Sequence, residues 1–308
     1  MAYAISNLSD DLSFGCVVQG LRSRDIADPE VVAELNRLWI ERGLIVFRDV
    51  DISSDFQVAL SQCFGTLEPH PVRESWLDDA GQLISVKSRP DAGSIYRIDG
   101  RDVAGWIPWH CDTIYTPRLS RGGILRVTQP TSWGGETCFL DQIEAYEALS
   151  DSLKAAVETM EIVYRMESTV DSIYARRMGV KMLRQSASMA SMLSRIESDW
   201  PEVVHPAVYR QPETGRRVLK LSPHFAKYIL GMTVAESEPI LAELIDHVVS
   251  RPIYRQQWRS DSAEMVLWDN WRMLHSVSAC PIDEERTMRR TTIGGTVVSG
   301  RYLHEAAQ

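Results

Sequence analysis

The segment Trp109-His110-Cys111-Asp112 sets an imidazole and a carboxylate two residues apart in a stretch, IPWHCDTIY, that reads as a strand. Side chains two apart on a strand point to the same face, so His110 and Asp112 can grip one ion. A third ligand is expected from another strand, and His275 stands in WDNWRMLHS, just after the strand-like run EMVLWD. Two histidines and one carboxylate make the facial triad of non-haem iron(II), which keeps coordination positions open for a chelating co-substrate and oxygen. Cys16, Cys63, Cys111, Cys138 and Cys280 are odd in number and lack a C-x-x-C spacing, so neither a zinc–thiolate site nor a disulfide framework is suggested.

An H-x-D triplet is weak by itself, because a single histidine is more often a hydrogen-bonded structural residue than a ligand. The closing run RTMRRTTIGG strengthens it. Period-two alternation puts Arg286, Met288, Arg290 and Thr292 on one face and Thr287, Arg289, Thr291 and Ile293 on the other. Two guanidinium groups facing an interior require anionic partners, and a small dianion can be held bidentately by one of them. Arg289 is expected to point outward as a solvated charge.

These segments resemble the TauD/TfdA family of dioxygenases dependent on iron(II) and 2-oxoglutarate. WHCDTIY is similar to the family's WHxD-T segment, GGETCFLD to its GGDT segment, WDNWRMLH to its WDN-x-x-x-H, and ERTMRRTTIGG to its closing R-x-M-x-R-x-T strand. The four occur in the family's order along most of the chain. FGTLEPHPV, residues 64 to 72, is a weaker match to a segment of the substrate pocket. The resemblance implies that His110, Asp112 and His275 bind Fe(II). It implies that Arg286, helped by the Thr137 hydroxyl, holds the distal carboxylate of 2-oxoglutarate, with O2 as the second co-substrate. It also implies that Arg290 binds the acidic group of the primary substrate and that His70 is a histidine of the substrate pocket. Arg73 stands where the taurine branch has an aromatic residue, and Pro108 where it has a polar one, so taurine itself is not implied. Arg73 is instead a candidate second anion contact. The carboxylate at Asp112 disfavours halogenation, since related halogenases carry a small residue there.

Elements to position these residues follow from the pattern. PEVVAELNRLWIERG places Val31, Val32, Leu35, Leu38 and Trp39 on one helical face, Gly43 ends the helix, and Leu44 to Phe47 read as a buried strand. A second helix is expected from Ser53 or Ser54 to about Cys63. From Leu83 onward come short strands separated by turns: LISVKS, IPWHCDTIY, GGILRVTQ, ETCFLD, HPAVYR, RRVLKLS, EMVLWD and MRRTTIGG. Many short strands predict a barrel or jelly roll. Helices are expected at 142 to 160, roughly 182 to 199, and 234 to 250. The fold class is therefore α+β: a double-stranded β-helix, cupin-like, flanked by helices, with residues 1–308 forming a single domain. A helical insertion at about 166–200 mixes Met178, Met182, Met189 and Met192 with Arg176, Arg177, Lys181 and Arg184. It is read as an amphipathic helix on the barrel, or as a lid over an apolar substrate body.

A net charge of −9 argues against a nucleic-acid or anionic-membrane surface. The N-terminal MAYAISNLSDDLSF lacks a secretory signal and no apolar stretch is long enough for a bilayer, so the expected location is cytoplasmic. The expected partner is an anionic small molecule, hydroxylated and in some cases thereby cleaved, with succinate and CO2 released. Dimers and tetramers are common among such enzymes, and a homo-oligomer is expected. Trp268 and Trp271 are read as core aromatics, and His205, His224, His247 and His304 as structural or surface residues. The competing readings are a cupin-like protein that binds a metal or small ligand without oxidation, and a zinc hydrolase using the same triad.

Overall fold

The computed structural model describes residues 3–69 and 73–304; His70 lies outside them. Seven strands make the larger sheet, in the order Ala4–Asn7, Cys16–Gln19, Leu44–Arg48, Glu264–Asp269, Gly122–Gln129, Arg286–Ile293, Leu83–Ser88. Every pairing in it is antiparallel except Cys16–Gln19 against Leu44–Arg48. Four antiparallel strands make a second sheet, in the order Tyr254–Gln256, Thr137–Asp141, Met273–Val277, Ile107–His110. The two sheets share one apolar cluster, to which the larger contributes Leu125, Val266, Trp268 and Met288 and the smaller Phe139 and Met273. This is the expected jelly roll, with its interior between two sheets.

Helices cover the outer faces. Pro29–Arg42 begins where the Asp28 side chain accepts the Glu30 N–H, with proline in the first turn where no N–H is needed. It ends at Gly43, whose φ of 75° suits glycine and lets its N–H reach the Trp39 carbonyl at 2.7 Å. Leu35, Leu38 and Trp39 from this helix, with Phe56 and Leu60 from Ser54–Gln62, pack on Ile45, Phe47, Ile124 and Leu267 of the larger sheet. Each such side chain taken from water contributes about 1.5–3 kcal/mol. On the other side Val234–Val249, opened by a Thr233/Glu236 capping box, buries Leu241, Leu244, Ile245 and Val248 in a cluster with Leu140 and Leu274.

Three expectations of local structure change. The expected helix at 142 to 160 is two helices, Gln142–Glu147 and Asp151–Val157, because Ser150 caps a new N-terminus by accepting the Leu153 N–H. The expected helix at 182 to 199 starts as a strand, Lys181–Arg184, paired with Ile95–Ile98; short helices Ala187–Leu193 and Ile196–Asp199 follow. Here Ser186 punctuates the chain, its hydroxyl accepting the Met189 N–H. Finally, the strand carrying His110 stops at that residue, and Asp112 lies in a turn. The side-by-side placement of His110 and Asp112 thus has a different origin from strand alternation.

Candidate metal and co-substrate site

His110 ends one edge strand of the smaller sheet and His275 lies directly opposite it in the neighbouring strand, so sheet register alone brings the two rings together, tilted at 46° with 4.1 Å between centroids. The His110 Nδ1–H donates to the Pro108 carbonyl at 2.7 Å, since a carbonyl can only accept, and this leaves Nε2 as the ring's donor to an ion. Phe139 stacks near the His275 ring at 6.1 Å between centroids, and Trp268 lies at 5.2 Å.

A backbone clamp places Asp112. The Asp112 N–H donates to Asn270 Oδ1 at 2.8 Å, and Asn270 Nδ2 donates back to the Asp112 carbonyl at 2.9 Å and to the Ser120 carbonyl at 3.0 Å. Asn270 is itself held by buried Lys220, whose Nζ donates to its carbonyl at 2.6 Å. Thr113, at φ 57°, turns the chain immediately afterwards. The Asp112 carboxylate thereby comes to 3.7 Å from His110 Nε2 and 3.5 Å from His275 Nε2. The three ligand atoms lie within 4.8 Å of one another, a spacing that suits a single ion.

The electrostatics prepare these groups. Burial alone would raise the Asp112 carboxyl, but Arg290, His275 and His110 override it and hold it well below the usual carboxylate range. Burial lowers the His275 imidazole, reinforced by His110, and lowers His110 against the pull of Asp112. An ionised carboxylate and two neutral imidazoles are the protonation states a metal needs, so little proton release would accompany binding.

Arg286 is 4% exposed. Its Nε donates to the Gly135 carbonyl at 3.0 Å, whereas its buried Nη2 has no partner among the described residues. Burial pushes this guanidinium down to about 10. An orphaned, fully charged donor in an interior is costly, and a carboxylate is the natural group to satisfy it. Gly135, at φ 70°, is needed here, because a Cβ would come within 2.9 Å of Arg286 Nε. Thr137, two residues on and buried, accepts a hydrogen bond from Trp258 Nε1 at 3.0 Å, which leaves its hydroxyl hydrogen to donate.

Arg290 is engaged differently from the sequence expectation. Its Nη1 and Nη2 donate to the two Asp112 oxygens at 3.2 and 2.8 Å, and its guanidinium carbon lies 5.1 Å from the centroid of the Trp268 ring. Arg73 is exposed, 5.6 Å from the centroid of the Trp76 ring. Arg289 is not a free solvated charge: it donates to Ser85 Oγ at 2.7 Å.

Four participants escaped the sequence reading. Asn270 and Lys220 carry the Asp112 clamp, and Trp258 orients Thr137. His224 is buried with its ring 6.3 Å from that of His110, its backbone N–H donating to the Trp109 carbonyl and its ring Nδ1 without a partner among the described residues. Burial, then His110, pushes His224 down to about 3. Asn270 sat in plain view in the WDN motif; the other three belong to no motif. His205, read as a structural or surface residue, is structural: it is buried and bridges Ser299 Oγ and the Thr116 carbonyl at 3.1 and 3.0 Å.

The sequence profile of the family described as Taurine catabolism dioxygenase TauD, TfdA family matches residues 9–292. The chain is 32% identical over 295 residues to a (S)-phenoxypropionate/alpha-ketoglutarate-dioxygenase of Sphingobium herbicidovorans, covering 95% of this chain and 96% of that one. It is 28% identical to an alpha-ketoglutarate-dependent 2,4-dichlorophenoxyacetate dioxygenase of Cupriavidus pinatubonensis, covering 92% of this chain and 96% of the other. Among solved structures, AAD-2 in complex with Mn(II) and N-oxalylglycine superposes with a TM-score of 0.72 at 25% identity, covering 97% of this chain and 100% of that one.

Proposed function

The chain belongs to the TauD/TfdA family of Fe(II)- and 2-oxoglutarate-dependent dioxygenases, and from that premise we propose that it hydroxylates an anionic small molecule at a metal centre built from His110, Asp112 and His275. One observation carries the reading: the three ligand atoms converge within 4.8 Å, in the same fold that leaves the buried Arg286 Nη2 without a partner among the described residues. A protein that merely stored a metal would gain nothing from an orphaned interior guanidinium.

Iron(II) with 2-oxoglutarate supplies, when bound, the oxidising power, releasing succinate and CO2 as O2 is consumed. The protein's residues do the rest. His110, through Nε2, with His275 and Asp112 would hold the metal, and three protein ligands would leave room at it for the co-substrates. Arg286, with the Thr137 hydroxyl, takes the distal carboxylate of 2-oxoglutarate and so sets its reach toward the metal. Arg290 holds the Asp112 carboxylate in one orientation, and its Nε remains available in the interior to a substrate anion. The apolar shell of Phe139, Trp268 and Phe225 keeps water from the reacting groups.

The relatives' substrates are aryloxy acids, which supports an organic acid as the primary substrate. Hydroxylation beside an ether oxygen would go on to break the C–O bond. We read residues 1–308 as one dioxygenase domain. No described helix is long and apolar enough to cross a membrane, and dependence on 2-oxoglutarate supports work in the cytoplasm, where that metabolite is available.

The test is oxygen uptake and succinate release by anaerobically iron-loaded protein with 2-oxoglutarate, screened against aryloxy acids, sulfonates, sulfate esters, amino acids and fatty acids. Substrate-stimulated succinate from an anionic member supports the proposal. Turnover with neutral compounds alone, or none with any member, overturns it.

A further inference from the structure

Most buried cations around the candidate metal centre have an acid of their own. Arg272 pairs with Asp141 at 2.6 Å and Arg290 with Asp112 at 2.8 Å, and Arg121 meets both Asp269 and Glu213. Lys220 has none. It is 4% exposed, and no carboxylate lies within ion-pair distance of its ammonium among the described residues. Its Nζ donates to the Asn270 carbonyl at 2.6 Å, directly behind the clamp that holds Asp112.

The backbone fixes this placement from both sides. Strand Arg217–Leu219 pairs with Val208–Arg210, and the residues after it run beside the segment that carries His110 and Asp112. The Lys220 N–H donates to the Ala207 carbonyl at 2.7 Å, and the Lys220 carbonyl accepts from Tyr164 Oη at 2.9 Å. Two residues on, Ser222 Oγ accepts the Cys111 N–H at 3.1 Å. Lys220 also borders a cavity of about 10 Å³ with Tyr209, Trp271 and Ser299, and no described carboxylate lines it. That is about the space of one water, which with the Asn270 carbonyl would give two of the three ammonium N–H groups a partner.

A buried charge with no opposite charge is costly, and an apolar side chain of similar length would fill the same space without that cost. The field of this one is not absorbed nearby. Asp112, the anionic member of the candidate triad, is already balanced by Arg290, which bonds both its oxygens. Burial first and His110 second lower the His275 imidazole, and Lys220 is among the further charges that add to this, so the ammonium is felt at a candidate ligand. A positive charge in the surroundings of a metal opposes the loss of an electron from it.

We propose that Lys220, the buried cation bonded to Asn270, raises the Fe(III)/Fe(II) potential of iron held by His110, Asp112 and His275, and so keeps the resting metal ferrous. The inference rests on the oxygenase reading above and adds to it a residue that tunes the metal without touching it. Lys220 is in this sense a positioning residue with two separable contributions: its N–H secures Asn270, and its charge acts on the metal through space.

The test is an anaerobic, mediated redox titration of the iron-loaded full chain with 2-oxoglutarate, the ferric form being read by electron paramagnetic resonance. K220M removes the charge at similar side-chain length, K220Q removes it but keeps an N–H donor, and K220R keeps both. At a fixed potential K220M and K220Q should raise the ratio of Fe(III) to Fe(II) about tenfold over wild type, the order expected for one charge in a protein interior. For a one-electron couple that is a midpoint lower by about 59 mV. K220R should stay near wild type. Uncharged variants with the wild-type midpoint overturn the inference, and so does a K220R midpoint as low as that of K220M, which would assign the effect to packing. If circular dichroism shows that K220M does not fold, K220Q carries the comparison; if neither folds while K220R does, the role is structural and the inference falls. Absorption of the anaerobic Fe(II)–2-oxoglutarate complex separates the two failures: if the wild type lacks it the oxygenase reading falls, and if it is present with equal midpoints throughout only this inference falls.

Discussion

Arg290 spans the Asp112 carboxylate with both terminal nitrogens, at 3.2 and 2.8 Å, so a salt bridge fixes the acidic member of the candidate metal triad. Both side chains are about nine-tenths buried. In that setting the pair acts as a positioning device, and removing either half leaves an uncompensated charge.

Replacing Arg290 by Ala should therefore destabilise the metal-free protein by roughly 3 kcal/mol, the usual order for a broken buried pair. The loss should be smaller in the Mn(II)-loaded protein, where the cation neutralises Asp112. Calorimetric unfolding with and without metal checks this; equal losses in both states would show that Arg290 does not act through Asp112.

The Asn270 clamp holds the Asp112 backbone and touches no candidate ligand atom. Asn270→Ala should leave the fold intact by circular dichroism and weaken metal affinity by about 10–100-fold, the range seen when a group supporting a ligand is lost. Unchanged affinity in a metal titration would remove Asn270 from this role.

Arg286→Ala should raise the KM for 2-oxoglutarate by about 100-fold, as expected for loss of a charge-assisted bidentate contact worth near 3 kcal/mol, and leave the substrate KM nearly unchanged. Gly135→Ala should mimic it in part, because the added methyl would press on Arg286 Nε. Steady-state kinetics with each co-substrate varied in turn decides the matter.

His205 offers a test of stability against pH away from the metal. Burial pushes its imidazole down to about 4 from an ordinary value of 6.5. Between these values the unfolded chain binds a proton that the folded chain refuses. Stability should thus be intact above about pH 6.5 and fall as pH drops to 4, by up to roughly 3 kcal/mol from this group. Chemical denaturation from pH 7.5 to 4 should show the slope, and it should flatten in His205→Gln; an unaltered slope would assign the effect to other buried groups.

Much of this was written locally. Alternation along Arg286–Ile293, the capped helix Pro29–Arg42 and the short strands after Leu83 depend on period and on cap residues, which neighbours in sequence supply. The identities of His110, Asp112 and His275 were likewise legible, because few side chains bind a hard divalent ion and these stood in family order. Their meeting was not, since Asp112 is delivered by a turn clamped to Asn270, 158 residues away, and not by strand alternation. Nor could the sequence tell that Arg290 would pair with Asp112, that His224 would be buried beside His110, or that Lys220 would be held against Asn270. Such relations depend on which distant strands become neighbours and which edges stay unpaired. Period and propensity carry no information about that; it is decided when the two sheets close over a common core.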